Sequence, residues 1–430
     1  MAGDFIKFNF SKSAASIIKV IGVGGGGCNA VNHMFEEGIK DVDYIVCNTD
    51  GQALENSPVP TKIQLGVTLT EGRGAGNRPE MGEEAALENY DDIRMVLEDN
   101  TKMLFITAGM GGGTGTGAAP IIARLARELD ILTIAVVTVP SPAEGYKRHN
   151  QAIEGIRKLS EQVDSMLIVS NQRLHSVYGE LPARQAFKLA DTVVMTAVKG
   201  VAEIITLHGN INIDFADVYT VMHNSKVFIM GTGIASGENR AMDAVKIALR
   251  SPLLDNQEIK GTKNILLNII SGSEEITIGE IGEIIEYLQM EAGQEADIIW
   301  GNGYDESLGK QINVTILCTG FRNAATYLPQ QDKKIEQFTL GIDPRHEEPV
   351  FVQPNKKEEE SFVLDLDIEP VIPLEQKPVV RKLRKPEEEK PKKKKPRPVR
   401  DEDENEPDSN IDNWFIRKFS KFFDDDDPNT

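Results

Sequence analysis

Two glycine-rich segments carry the clearest chemistry in the chain. The first, residues 22–29, reads GVGGGGCN, and the second, residues 109–117, reads GMGGGTGTG. Glycine lets backbone N–H groups approach a phosphate without a Cβ in the way, and a following helix adds the positive end of its dipole. The first segment fits the GxGxxG pattern of dinucleotide sites, but Cys28 stands where a Walker A loop needs lysine. Both segments therefore predict phosphate binding.

The second loop changes what the first one indicates. An ordinary dinucleotide fold needs one phosphate loop, whereas two loops and a third glycine segment at 72–76 can surround a polyphosphate with backbone donors. The glycines could instead serve close helix packing, but nearly every residue from 109 to 117 is Gly or Thr. The first loop alone would support an NAD(P)-dependent oxidoreductase, with Asp43 or Asp50 near the ribose.

A pair of acids, Asp214 and Asp217, forms a second candidate centre. Two carboxylates three residues apart at the start of a helix can position and polarise an attacking water, as a hydrolase requires. The same spacing suits N-capping, in which Asp214 accepts from open amides and Asp217 lies at the positive end of the dipole. Spacing alone leaves both interpretations open and favours capping.

The elements that must position these residues follow an alternating pattern. Apolar, β-branched runs of strand length occur at 17–21, 44–47, 103–107, 131–139 and 166–169, and helical patterns lie between them at 28–37, 80–99, 115–129 and 149–163. Nearly continuous apolar runs are typical of strands covered on both faces. The alternation predicts an α/β fold with a doubly wound parallel sheet, and it places both phosphate loops at strand-to-helix junctions.

A long helix and a smaller set of elements follow. Leu181-Pro182 opens a helix that runs to about His208, with apolar residues at steps of three and four. Beyond it, strands are predicted at 227–230, 264–270, 297–300 and 311–319, with helices at 240–250 and 278–290. These elements predict a smaller mixed-sheet α+β second domain.

Charge and composition exclude several classes of protein. The 430 residues include 47 Lys and Arg against 67 Asp and Glu, a net charge of −20, so we expect no nucleic-acid partner, which would need a basic face. No segment resembles a signal peptide or approaches the length of a membrane span. Three dispersed cysteines favour a reducing, cytoplasmic compartment. The histidines show no metal-ligand spacing, so no metal site built by protein side chains is predicted.

The last hundred residues have a different composition. Basic (381–400) and acidic (401–408) blocks rich in proline predict a disordered segment; the basic block serves either as a solvated spacer or as a patch for nucleic acid or membrane. An apolar cluster from Trp414 to Phe423 then places Phe415, Phe419, Phe422 and Phe423 on one helical face. This terminal peptide could dock on a protein partner or insert into a membrane.

Several long motifs together resemble one family. GGGTGTGAAP at 111–120 matches the tubulin/FtsZ signature loop, and GVGGGGCNAV at 22–31, NTD at 48–50 and NIDFADV at 212–218 resemble the corresponding FtsZ segments. Over roughly residues 15–322 the chain thus resembles the FtsZ family, the tubulin-like GTPases of bacterial cell division. The resemblance implies six parts: an N-terminal extension (1–16), a GTP-binding domain (17–180), a central helix (181–210), a C-terminal tubulin-like domain (211–322), a disordered linker (323–410) and a partner-binding terminal peptide (411–430).

The resemblance also implies roles for individual residues in binding GTP and GDP. Those near the phosphates would be Gly24, Gly25, Gly26, Asn29, Gly111, Gly112, Gly113, Thr114, Gly115 and Thr116. Glu144 and Arg148 would hold the sugar, although on their own they could be an i,i+4 surface ion pair. Asn171 and Asp191 would recognise the base, because a carboxylate can accept from both N1–H and the exocyclic amine of guanine; without the resemblance, Asp191 would be a solvated helix position. Asn77 and Arg78 depart from the family pattern near the γ-phosphate.

Catalysis is expected to need two copies of the chain. The helix from Asp191 to His208 places the loop of Asp214 about 25 Å from the base, so Asp214 and Asp217 would act on the nucleotide of a neighbouring subunit in a head-to-tail filament. We expect Mg²⁺ to be held mainly by phosphates and water. The resemblance implies a division ring at mid-cell, on the inner face of the membrane, joined to membrane-tethering division proteins through Trp414 to Phe423. A scaffold that binds nucleotide without hydrolysing it is the alternative.

Overall fold

The computed structural model describes residues 16–39, 41–172, 182–206, 209–251 and 259–321. Apart from Ser16, the predicted N-terminal extension lies outside the described residues. The predicted linker at 323–410 and the terminal peptide at 411–430, which includes Trp414 to Phe423, lie outside them as well.

The first domain is built on a six-stranded sheet in which every paired strand is parallel. Its strands are β1 (Ile18–Val23), β2 (Val42–Asn48), β3 (Thr61–Gln64), β4 (Met103–Gly109), β5 (Leu132–Val139) and β6 (Ser165–Ser170). They lie in the order β3-β2-β1-β4-β5-β6. All six residues of β1 are buried, as the continuous apolar run predicts for a central strand. The predicted doubly wound parallel sheet is confirmed.

Within the described residues, the helices that connect and cover these strands are α1 (Gly24–Glu37), α2 (Gly51–Glu55), α3 (Val67–Thr70), α4 (Pro79–Glu88), α5 (Tyr90–Glu98), α6 (Thr114–Glu128) and α7 (Tyr146–Ser160). The prediction of one helix over 80–99 is wrong, because the helix is interrupted at Asn89, between α4 and α5. The Asn89 side chain accepts from Gly66 N at 2.8 Å and donates to Asp92 at 2.8 Å. These bonds compete with the helical path.

The predicted central helix is α8 (Ala183–Thr206). Its apolar stripe includes Val194, Ala197, Val198 and Val201, all almost fully buried. The stripe belongs to a single core that also holds Phe105 from the first sheet, as well as Phe228, Met230 and Leu317 from the second domain. Helix α8 therefore joins the two domains through shared packing.

The second domain is the predicted mixed-sheet domain. It contains β7 (Gly209–Ile211), α9 (Phe215–Met222), β8 (Phe228–Ala235), α10 (Arg240–Leu249), β9 (Asn264–Ser271), α11 (Ile278–Ala292), β10 (Asp297–Tyr304) and β11 (Ile312–Thr319). The strand order is β7-β10-β9-β11-β8. Strands β9 and β10 are parallel, whereas β7 and β11 run antiparallel to their neighbours. No helix among the described residues is long and apolar enough to cross a membrane.

A buried arginine holds the loops at one edge of this second sheet. Arg240 is only 4% exposed, and its Nε lies 2.7 Å from Glu280 Oε1. Its guanidinium also donates to the backbone carbonyls of Glu274, Glu275 and Lys310. Hydrogen bonding from Arg240 lowers the pKa of the Glu280 carboxyl to about 2. The Arg240 side chain thus holds together α11, the segment before it and the segment before β11.

Candidate functional site

The two main glycine loops meet where the strand order of the first sheet reverses, between β1 and β4. Helix α1 begins directly at Gly24, so its first turn is the glycine run itself; the predicted start at residue 28 is four residues late. Gly24 and Gly111 have φ angles of 71° and 90°, which glycine adopts without strain. Crevices at such reversal points, beyond the carboxyl ends of strands, are where α/β proteins bind ligands.

The loops lie in backbone contact with each other. A Cβ at Gly24 would lie 2.8 Å from Gly115 N, and one at Gly26 would lie 3.2 Å from Gly109 Cα. The third glycine segment packs against the second, because a Cβ at Gly113 would lie 2.8 Å from Ala75 Cβ and 3.0 Å from Arg78 N. The predicted convergence of three loops is present, and close packing is part of what these glycines do.

Other glycines of the same loops face open space. A Cβ at Gly25 or Gly112 would meet no atom within 4 Å. Neither α1 nor α6 has a side-chain N-cap hydrogen bond, although the first amides of a helix need partners. The two helix N-termini therefore present N–H groups and positive dipole ends toward a space that an anion can enter.

Threonine hydroxyls hold the second loop in place. Thr116 Oγ1 accepts from Gly111 N at 2.8 Å, and Thr114 Oγ1 lies 2.7 Å from Thr49 Oγ1 at the end of β2. No role was predicted for Thr49, although this residue directly follows β2, whose carboxyl end lies on the side of the sheet where the glycine loops meet. The neighbouring Asp50 caps α2 by accepting from the amides of Gln52 and Ala53.

Beside the loops lies a cavity of about 180 Å³. Its lining includes six of the predicted residues: Gly26, Asn29, Glu144, Arg148, Asn171 and Asp191. Thr138 and Pro140, at the end of β5, also line the cavity. No role was predicted for the loop that begins there, although its position at the carboxyl end of a central strand indicates a place in the ligand site. A larger cavity, about 240 Å³ between α4, α6 and α7, shares only Thr116 with the predicted site.

Glu144 and Arg148 do not form an i,i+4 pair on one helix. Glu144 ends a short 3₁₀ turn, and Arg148 lies in α7 beyond Gly145. Glu144 Oε1 instead accepts from Ser141 N at 3.0 Å and from Asn171 Nδ2 at 3.1 Å. The acid therefore orients the Asn171 amide inside the cavity.

One polar atom of the cavity is buried without a hydrogen-bond partner, and one carboxyl that lines the same cavity is partly desolvated. Asn171 Oδ1 is fully shielded and has no hydrogen bond within the described structure. Burial also raises the pKa of the Asp191 carboxyl to about 6, because desolvation disfavours its charged form. Buried polar atoms are normally hydrogen-bonded, so this wall of the cavity has the chemistry of a site for a ligand that donates hydrogen bonds.

The acids Asp214 and Asp217 lie outside this cavity. They form a capping box at the start of α9: Asp214 Oδ1 accepts from Asp217 N at 3.0 Å, and Asp217 Oδ2 accepts from Asp214 N at 3.1 Å. The capping geometry anticipated from the spacing is therefore present. Asp191 and the end of α8 at Thr206 are 15 residues apart, which is about 22 Å along the helix. The cavity and the capping box thus lie toward opposite ends of α8.

Comparison with known proteins identifies the family of both domains. Residues 17–179 match the model of the Tubulin/FtsZ family GTPase domain, and residues 227–322 match that of the FtsZ family C-terminal domain. The first match assigns the glycine loops to a GTPase and not to an oxidoreductase.

Whole-chain relatives agree with these matches. The cell division protein FtsZ of Porphyromonas gingivalis is 45% identical over 325 residues, covering 75% of this chain and 71% of the relative. That of Azotobacter vinelandii is 47% identical over 312 residues, covering 72% and 79%. A solved FtsZ dimer from M. jannaschii superposes with a TM-score of 0.67 at 39% identity, over 73% of this chain and 90% of that one. The chain therefore belongs to the FtsZ family of tubulin-like, polymerising GTPases of cell division.

Proposed function

We propose that this GTPase hydrolyses GTP at the interface between two copies of itself, with Asp214 and Asp217 of one copy acting on the nucleotide held by the next. The observation that carries the proposal is the separation of the base cavity from the capping box by about 22 Å of helix α8. A head-to-tail arrangement brings the capping box of one subunit to the glycine loops of another. Repetition of such a contact builds a filament when its rotation does not close.

The cavity supports guanine as the base. Guanine offers N1–H and an exocyclic amine to the Asp191 carboxylate, and its O6 can accept from an amide. The unpartnered Asn171 Oδ1 needs a donor, which a purine ring with an amine and an N–H can supply. Adenine carries no N1–H, so it would leave one oxygen of the Asp191 carboxylate without a donor, at a cost of about 1–3 kcal/mol.

The glycine loops and their threonines support the phosphates. Open amides at the starts of α1 and α6 face the space beside Gly25 and Gly112. The Thr116 hydroxyl, which accepts from Gly111 N, fixes the curvature of the loop before nucleotide arrives. Arg148 and Asn29 line the adjoining cavity and neutralise or orient the sugar and phosphate groups.

Mg²⁺ fits this site as a companion of the triphosphate. Among the described residues no group of three or more His, Cys, Asp or Glu side chains forms a metal-binding cluster, so we propose that phosphate oxygens and water supply most of its ligands. When bound, the ion neutralises charge that develops on the phosphates. The protein's own contribution is the rigid amide cradle that holds those phosphates.

The capping box prepares the two acids for their proposed role. Each carboxylate is fixed by one backbone N–H and has a second oxygen atom with which to orient water. Asp214 is exposed and Asp217 is half-exposed, as acids that meet another subunit must be. Capping and catalysis are therefore compatible functions of the same pair.

A mixing experiment tests action in trans. Asp214→Asn keeps an oxygen for the cap but loses the charge, so filaments should form while phosphate release falls. Gly112→Asp should block the phosphate site while its own Asp214 remains. A mixture of the two inactive proteins should recover hydrolysis that rises with total concentration. Asp243→Asn removes the same charge from an exposed site in α10 and should behave as the unmodified chain.

Gly112→Asp could also block assembly, so a second titration accompanies the mixture. Adding Asp214→Asn to the unmodified protein should lower phosphate release in proportion to the mixed interfaces, while filaments persist. Normal turnover by Asp214→Asn alone would contradict the proposal, as would constant specific activity far below the assembly threshold.

We further propose that the terminal peptide, Trp414 to Phe423, docks on membrane-tethering division proteins and holds the filament at the division site, on the cytoplasmic face of the membrane. Support comes from the sequence pattern, in which aromatic residues recur on one helical face, and from the family to which the chain belongs. Four consecutive acids, 424–427, oppose direct insertion into an anionic membrane.

A further inference from the structure

Helix α9, whose N-cap is Asp214, is joined at its C-terminal end to the nucleotide domain of its own subunit by hydrogen bonds. Its last residue is Met222, and the segment 223–226 follows. This segment contacts the turn that precedes β6 through four bonds: His223 Nδ1 to Asp164 Oδ1 at 2.8 Å, Asn224 N to Asp164 Oδ1 at 3.3 Å, Lys226 N to Asp164 O at 2.8 Å, and Ser225 Oγ to Ser165 Oγ at 2.7 Å. We call this group of contacts the junction.

Asp164 is the centre of the junction. Its side chain is only 14% exposed, and its second oxygen, Oδ2, accepts from Thr133 N at the start of β5. The carboxylate is therefore fixed to the first sheet on one side while it receives the end of α9 on the other. A shielded carboxylate held by several donors gives a rigid attachment point.

The His223 ring is oriented from three directions. Its Nδ1 faces Asp164, its Nε2 lies 2.8 Å from Asn224 Nδ2, and Tyr219 stacks on it with 4.8 Å between ring centroids. The Asn224 Nδ2 atom can only donate to that ring nitrogen, so the tautomer that satisfies both neighbours carries its proton on Nδ1. That proton points at the Asp164 carboxylate.

Small movements at the junction become movements of the acids. Helix α9 has eight residues and is about 12 Å long, so a tilt of about 5° at its C-terminal end displaces the other end by about 1 Å. A misplacement of about 1 Å can lower a rate by about a hundredfold. The second sheet holds the same helix through Thr319 Oγ1, which donates to Val221 O at 2.9 Å. Val218, Val221 and Met222 also place α9 in the apolar core that it shares with the first sheet. Apolar packing is not directional, so the junction adds hydrogen bonds of fixed direction to that contact.

We propose that His223 and Asp164 are positioning residues for GTP hydrolysis. Their contact fixes the direction of α9 relative to its own nucleotide domain, and so determines where Asp214 and Asp217 meet the neighbouring subunit's nucleotide. The inference rests on the proposed action of these acids in trans. It assigns neither residue a contact with substrate.

The test compares two variants of His223 in the full-length chain. His223→Leu fills similar space but cannot donate to Asp164, whereas His223→Asn places an amide N–H near the position of Nδ1. At saturating GTP and at protein concentrations well above the assembly threshold, His223→Leu should lower phosphate release at least tenfold, and His223→Asn should stay within about threefold of the unmodified chain. GDP affinity and the assembly threshold should change less than twofold in both.

Controls separate positioning from loss of stability. Thr232→Val removes a hydrogen bond of 2.9 Å to Asn313 between β8 and β11 of the second sheet, which is not part of the junction, and should leave turnover unchanged. Asp164→Asn combined with His223→Leu should lower turnover by less than the product of the two single losses, because both changes remove the contact between these side chains while only Asp164→Asn also affects the bonds from Thr133 N and Asn224 N.

Several results would overturn the inference: turnover of His223→Leu within twofold of normal, equal losses in the Leu and Asn variants, or a loss explained by weaker assembly. The proposed function fails separately. If Asp214→Asn loses turnover while His223→Leu does not, the acids act in trans but the junction does not position them. If Asp214→Asn turns over normally, action in trans itself is refuted.

Discussion

Affinity for guanine nucleotides should fall as the pH is lowered through 6, because recognition of the base needs Asp191 in its charged form. Burial raises the pKa of this carboxyl to about 6 in the ligand-free protein. Donors on guanine favour the carboxylate, so the pKa is lower in the complex and binding at acidic pH releases a proton. Affinity therefore has its full value above pH 7 and declines below pH 6.

The size of the effect follows from that pKa. Nearly all of the Asp191 carboxyl is ionised at pH 7.5 and about a quarter at pH 5.5, so this group alone should raise the dissociation constant about fourfold over that range. Lower pH is avoided, because a chain with a net charge of −20 at neutral pH loses that charge, and its solubility, as its carboxyls protonate.

Calorimetric titration with GDP, at protein concentrations below assembly, measures this dependence. A phosphate also titrates, with a second pKa near 6, and Asp191→Asn provides the matched control because it retains that contribution alone. The substitution should weaken GDP binding about tenfold or more through loss of an acceptor. The ratio of its dissociation constants at pH 5.5 and pH 7.5 should be about fourfold smaller than that of the unmodified chain. Identical pH slopes in the two proteins would refute the assignment of Asp191 to the base.

Three further predictions concern other parts of the chain. Gly112→Ala should fold normally and bind GTP more weakly, whereas Gly117→Ala should lose thermal stability, because its Cβ would lie 1.9 Å from a carbonyl of α4; equal melting temperatures would contradict this. Glu280→Gln should remove stability that is present above about pH 4.5 and lost as the pH falls toward 2, roughly 1–2 kcal/mol once solvent screening of a partly exposed group is allowed for, measured by urea unfolding at pH 7 and pH 3. Deleting 411–430 should leave phosphate release and filament formation unchanged but abolish recruitment to vesicles carrying a membrane-tethered partner; loss of hydrolysis would refute a modular tail.

The regular elements of the fold were predictable where one physical signal dominates. Continuous apolar runs such as β4 are buried on both faces, so their sequence alone identifies them. The break at Asn89 was not predictable, since it depends on a hydrogen bond to Gly66 in a distant segment. Strand β7 has only three residues, too few for any periodicity to show.

Some residues of the candidate site were likewise predictable from the sequence, and others were not. Glycine loops are visible in a sequence because phosphate binding requires a particular residue type at a strand end. Asp191, in contrast, is one acid on a helix, and only its burial in the cavity makes it unusual. The contact between Asp164 and His223 joins residues 59 positions apart, so no local spacing could have revealed it.

Under the proposed action of Asp214 and Asp217 in trans, the distance between the base cavity and the acids, set by α8, makes the two ends of a filament chemically different. A filament has one fewer complete catalytic centre than it has subunits, because one terminal subunit holds a nucleotide that no neighbour's acids reach. That nucleotide stays a triphosphate while those inside are consumed. The opposite terminus presents Asp214 and Asp217 with nothing to act on until another subunit arrives. The proposed mechanism thus predicts that the two ends of a filament grow and shrink differently because of the architecture of a single chain.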